Sequence, residues 1–112
     1  MVAETPKAKV NRVHLVADDE MTARFAPETP WLETCAVLGR GEDADLRLLD
    51  RWTSRRHCEI VPEAGHVFIR DLGSKHGTFV NGKQIERCEL TNGDKLNIGL
   101  ASFTVECESQ SA

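Results

Sequence analysis

Long hydrophobic runs are missing from this chain of 112 residues. Its longest apolar stretches, such as CAVLG (35–39) and HVFI (66–69), fall far short of the roughly 20 residues a membrane helix needs. The opening MVAETPKAK has no apolar block of the kind found in secretory signals. The chain is therefore expected to be soluble and cytoplasmic, with no membrane partner. C-x-x-C pairs are absent too. Cys35, Cys58, Cys88 and Cys107 are scattered, and His57 next to Cys58 would face the opposite side of a strand. Buried free thiols are expected rather than a metal site, and no cofactor is implied.

Positive charge is also in short supply. Fourteen Lys and Arg against eighteen Asp and Glu leave a net charge of −4, which argues against a general nucleic-acid binder, since such proteins neutralise many phosphates with a basic face. No nucleotide-binding glycine loop occurs: the G-x-G at 39–41 lacks the later glycine and the following helix. Asp18-Asp19-Glu20 is followed by nothing at EF-hand spacing and reads as a solvated turn.

What the chain does have is a succession of short strands. Its length fits one domain able to bury roughly two-thirds of its unfolded surface. Residues 1–11 read as an N-terminal tail, 12–107 as the domain and 108–112 as a C-terminal tail. Strand-like segments recur at 13–17, 34–40, 45–49, 57–63, 66–72, 78–85, 88–90, 94–99 and 101–107, and period-two alternation in HCEIV and HVFIR gives each of those strands one core face. Pro27 and Pro30 leave no helical stripe in 18–33. Asn81-Gly82 in VNGKQI is a strong hairpin signal, because both residues tolerate positive φ, and Asn92-Gly93 repeats it. An all-β sandwich or barrel is expected.

Scarce positive charge is concentrated in one place. RWTSRRH (51–57) holds Arg51, Arg55 and Arg56 and no acid, whereas GEDAD (41–45) is acidic. Arg40 lies between two glycines where an apolar strand stops, Ser54 and Arg55 precede the next strand, and Gly73-Ser74-Lys75-His76-Gly77 leaves another. Three loops thus present guanidinium forks, hydroxyls and free backbone N–H groups. A phosphorylated side chain, with about −1.5 to −2 charges and three acceptor oxygens, suits that set.

Taken in order, GR (39–40), SRRH (54–57), DLGSKHGTFVNGKQI (71–85) and LTNGDKLNIG (90–99) resemble the forkhead-associated (FHA) domain, over about residues 12–107. The resemblance implies a β-sandwich of about eleven strands with binding loops at one end, and phosphothreonine recognition without catalysis. Arg40, Ser54, Arg55 and Lys75 would form the phosphate-binding set, with Arg40 and Ser54 in contact with the phosphate, Arg55 beside them, and Lys75 donating through its backbone or its side chain. Gly39, His57, Gly77, Thr78, Asn81 and Gly82 would be structural. His76 stands where many members have an asparagine that binds the peptide backbone, and a histidine can donate through one ring nitrogen and accept through the other. Trp52 occupies a position that often chooses among peptides.

The implied partners are a threonine-phosphorylated protein or peptide and an upstream serine/threonine kinase. Two alternatives stand beside this reading. One is a scaffold that binds a protein surface without phosphate, the other a small hydrolase built on Ser54. Thr5 and Thr29, both in ETP, raise self-recognition, but the seven residues from Thr5 to Arg12 reach at most about 25 Å, which disfavours binding within one molecule.

Overall fold

A computed structural model describes residues 9–26 and 29–110. The strands, in chain order, are β1 (Lys9–Ala17), β2 (Ala36–Gly39), β3 (Leu46–Arg47), β4 (Cys58–Glu63), β5 (His66–Asp71), β6 (Thr78–Val80), β7 (Lys83–Ile85), β8 (Arg87–Leu90), β9 (Lys95–Ile98) and β10 (Ala101–Gln110), with one helix, α1 (Glu20–Phe25). They form two five-stranded sheets in the orders β1-β10-β9-β6-β7 and β3-β2-β4-β5-β8. Every pairing is antiparallel except β2 with β3.

Alternation drives this packing. In β4 and β5, Cys58, Ile60, Val67 and Ile69 are wholly buried, while Glu59, Val61 and Phe68 on the opposite face are not. Ala101, Phe103 and Val105 do the same for β10 and, with Leu96 and Ile98 of the neighbouring β9, share one core with Leu38 and Leu90 of the other sheet. Burying such side chains is worth about 1.5–3 kcal/mol each.

Four expectations change. Ten strands are described rather than eleven. The nearest approach to a further strand is an isolated bridge between Val13 and Leu32, where pairing stops close to Pro30, which has no N–H to give. Secondly, 18–33 does hold a helix. Asp19 caps it by accepting from Thr22 N at 2.7 Å, and six residues fit before Pro27, so the prolines limit the helix without abolishing it. Pro27 itself lies outside the described residues.

Thirdly, strand pairing passes both proposed domain limits, with Lys9 opposite Gln110 and Val10 opposite Ser109. Residues 1–8 and 111–112 of the proposed tails lie outside the described residues. Fourthly, the two Asn-Gly pairs differ. Asn81 (φ 51°) and Gly82 (φ 82°) make the tight β6–β7 hairpin. At Asn92-Gly93 only the glycine has positive φ, and the turn carries the chain from β8 in one sheet to β9 in the other.

Candidate anion-binding site

Three loops meet at one end of the sandwich, and backbone bonds hold them in register. Arg40 N donates to Ser54 O at 2.9 Å and Gly41 N to Arg55 O at 3.1 Å, so the end of β2 lies directly against the loop before β4. Glycine is required for that approach: a Cβ on Gly39 would sit 2.0 Å from Arg55 O. Asp50, almost fully buried, shapes the same loop by accepting from Trp52 N and Thr53 Oγ1, both at 2.8 Å.

His57 joins this loop to the next. Its ring is fully buried; Nδ1 accepts from Ser54 N at 3.0 Å and Nε2 lies 2.8 Å from Gly77 O. Because Nδ1 must accept and the carbonyl can only accept, the ring is the neutral tautomer with its proton on Nε2. Asp71 organises the β5–β6 loop. Its carboxylate accepts from Gly73 N and Ser74 N at 3.0 Å each, from Ser74 Oγ, and from Thr78 Oγ1 at 2.7 Å. Burial raises its pKa, but these hydrogen bonds outweigh that and hold the carboxyl below its ordinary value. Ser74 Oγ in turn accepts from Gly77 N at 3.0 Å, and Gly77 takes φ 89°. Asn81 ties the β6–β7 hairpin to β9 by accepting from Lys95 N at 2.9 Å.

The result is a hollow of about 290 Å³ lined by Arg40, Arg51, Trp52, Thr53, Ser54, Lys75 and His76. No acidic residue lines it, and among the described residues Arg40, Arg51 and Lys75 make no ion pair. Arg40 spends only Nε, on Thr53 O at 3.2 Å, which leaves both Nη groups without a protein partner among the described residues. Ser54 Oγ accepts from Lys75 N at 3.0 Å and keeps its own hydroxyl hydrogen to donate. The Trp52 and His76 rings meet edge to face, 4.8 Å apart, across the two loops.

Of the residues singled out in the sequence, Arg40, Ser54, Lys75, His76 and Trp52 therefore share one hollow. For Lys75 the two options narrow to one: its backbone N–H is taken by Ser54 Oγ, which leaves the ammonium as its donor. Arg55 lines a neighbouring hollow of about 530 Å³ with Arg40 and Arg47 instead. Sequence reasoning missed Arg51 as a lining residue, although it stands in the charged segment. It also missed Asp50 and Asp71, whose signal is an aspartate two or three residues ahead of the N–H groups it accepts from.

The sequence model of the FHA domain matches residues 36–99, more than half of the chain. The chain belongs to the FHA family. Among curated proteins, this FHA domain is 38% identical over 69 residues to FhaA of Mycobacterium tuberculosis, covering 62% of this chain and 13% of FhaA. It is 43% identical over 61 residues to the glycogen accumulation regulator GarA of Mycolicibacterium smegmatis, covering 54% of this chain and 39% of GarA. The chain thus spans well under half the length of these relatives.

Among solved structures, one concerning phosphothreonine-dependent FHA domain interactions superposes with a TM-score of 0.76 at 34% identity, covering 87% of this chain and 97% of that one. The FHA domain of FhaA, complexed with the intracellular domain of Rv3910, gives 0.70 at 32% identity, covering 85% and 98%. Together with the two sheets described above, these likenesses establish the FHA β-sandwich.

Proposed function

We propose that this FHA domain docks onto threonine-phosphorylated segments of partner proteins in serine/threonine kinase signalling, with the phosphate seated among Arg40, Ser54 and Lys75. The observation that carries this reading is the acid-free hollow lined by Arg40, Ser54 and Lys75, with both Nη groups of Arg40 lacking a protein partner among the described residues and the Ser54 hydroxyl hydrogen left to donate. Charge-assisted hydrogen bonds are worth about 1.5–3 kcal/mol each. Two or three of them, with peptide contacts along Trp52 and His76, reach the roughly −8 kcal/mol of a micromolar complex.

Binding rather than catalysis is favoured by the wiring of Ser54, the nucleophile on which the hydrolase alternative rests. His57 meets Ser54 through the backbone N, not Oγ, and its other nitrogen is committed to Gly77 O. It is therefore no general base for that hydroxyl, and a serine without a base is a weak nucleophile. A cytoplasmic setting fits four cysteines that are all free thiols. No helix among the described residues is long and apolar enough to cross a membrane.

Self-recognition within one molecule runs against the topology. β1 starts at Lys9, at the far end from Ala17, which pairs with Phe103 near the binding loops. Eight strand steps separate those ends by about 26 Å, and Thr5, outside the described residues, lies before the far one. Thr29 donates its hydroxyl to Leu15 O at 2.8 Å and is buried, so the folded domain does not offer it to a kinase.

The test is titration with one peptide in phosphothreonine, phosphoserine and unphosphorylated forms. Saturable binding of the phosphothreonine form alone is expected. Equal binding of the unphosphorylated form would replace this reading with phosphate-independent docking.

A further inference from the structure

His14 faces more acceptors than a neutral ring can serve. It lies on β1 opposite Glu106 of β10. Nδ1 is 3.1 Å from Glu106 Oε1, and Nε2 is 2.9 Å from Thr29 O. A carbonyl only accepts, and so does an ionised carboxylate, so each contact takes a hydrogen from the ring. A neutral imidazole has one N–H to give, and only the imidazolium has two.

The same ring fastens a strap. Residues 29–32 run beside β1, held by the Val13–Leu32 bridge with bonds of 3.0 and 2.7 Å, by Thr29 Oγ1 on Leu15 O, and by His14. Trp31 of the strap stacks on the His14 ring with centroids 5.0 Å apart, and the Arg12 guanidinium also meets it, at 4.7 Å. β1 is the edge strand of its sheet. The strap therefore occupies outward backbone groups of Val13 and Leu15 that a bare edge would offer to another chain.

Among the described residues, Glu106 is the charged group that faces the ring. Arg12, on the same strand, is bound to Glu108. The strap contributes Thr29 and Trp31, which do not titrate near neutrality, and α1 contributes Ala23 and Ala26 to the hollow of about 380 Å³ beside His14, where His14 is the one titratable side chain in the lining. An ion pair to a half-exposed glutamate is by itself worth little. The proton matters because the ring also fastens Thr29 and sets its charge against the Trp31 ring.

We infer that His14 is a proton-operated lock on the strap. With both nitrogens protonated it ties Thr29 to Glu106; with one proton lost, a lone pair faces one of those acceptors, and the strap loosens while the sandwich stays folded. Loosening thus accompanies rising pH, and the lock is independent of the phosphate hollow.

The experiment follows amide hydrogen exchange of Val13 and Leu32 by NMR from about pH 5.5 to about pH 8.5, a range that spans ordinary histidine titration. Rates are expressed as protection relative to an unstructured chain, so that the intrinsic pH dependence cancels. Ile60, in the middle strand of the other sheet, is the internal reference. In wild type, protection of Val13 and Leu32 is expected to fall about tenfold across the range with Ile60 unchanged, and ring nitrogen shifts should show both His14 nitrogens protonated at the acidic end.

Two substitutions separate the lock from its surroundings. His14→Gln has no titrating ring and should give low protection at both ends of the range. Glu106→Gln offers an amide that can donate to Nδ1, so a neutral ring suffices and protection should stay high throughout. A flat wild-type profile overturns the inference, as does a pH dependence that persists in His14→Gln. So does a closed strap in wild type whose His14 ring carries a single proton.

Discussion

Replacing His57 separates the scaffold of the site from its ligand contacts, because this side chain is wholly buried and lines neither hollow. Its two bonds differ in setting. The one to Gly77 O is buried, whereas the one from Ser54 N is part-buried. A buried group left unpaired costs about 1–3 kcal/mol, the part-buried one falling near the lower end, and the void left by the ring adds to this. His57→Ala is thus expected to lose about 4 kcal/mol, a large share of the roughly 5–15 kcal/mol that holds such a domain folded. At about 4–8 °C per kcal/mol for a small domain, Tm should fall by at least about 15 °C.

Two further variants divide the effect. His57→Asn keeps an acceptor at the level of Nδ1, and His57→Gln keeps a donor at the level of Nε2. Glutamine should recover more stability than asparagine, since it restores the buried bond. Urea unfolding followed by tryptophan fluorescence measures all three. An alanine variant within about 1 kcal/mol of wild type, or asparagine recovering more than glutamine, would refute the account of His57 as the clamp between the loops.

Other consequences follow from the same contacts. Gly39→Ala places a methyl 2.0 Å from Arg55 O, so it should cost about 1–3 kcal/mol in unfolding experiments and weaken phosphopeptide binding by displacing Arg40. Asp71 has a lowered pKa in the folded state, so its stabilising effect is complete above the ordinary aspartate value of about 3.9 and is lost as pH falls through the folded value. The stability difference between wild type and Asp71→Asn should accordingly be constant near neutrality and shrink below about pH 4. With a thiol reagent, exposed Cys35 should react first, while Cys58, whose thiol burial pushes far up, should stay unlabelled until the domain unfolds.

Much of this architecture is legible in the sequence where a local rule has one outcome. Asn81-Gly82 dictates a tight hairpin because both residues accept positive φ, and alternation at 58–61 and 67–69 assigns core faces directly. Arg40, Ser54 and Lys75 can be gathered from their loop positions. What depends on three-dimensional approach is not legible. Asn92-Gly93 carries the same dipeptide yet passes between sheets, since its pairing is decided by Gly93 N bonding Val105 O, across the sandwich from β8. The helix at 20–25 depends on a capping aspartate, which a count of prolines does not weigh. Asp50 and Asp71 look like ordinary surface acids until the N–H groups they accept from are seen folded around them. Arg55 follows Ser54 in sequence, yet its backbone carbonyl is bound by Gly41, and the residue lines the other hollow.

The most direct measurement of the central claim is calorimetric titration of a phosphothreonine peptide into wild type and Arg40→Ala, with unfolding curves confirming that both are folded. Arg40 is the only residue lining both hollows, and losing its two free Nη donors removes two charge-assisted bonds of about 1.5–3 kcal/mol each. Wild type is predicted to bind near the micromolar range, and the variant at least about a hundredfold more weakly. Equal affinity in a folded Arg40→Ala protein would contradict the assignment of this hollow to phosphate.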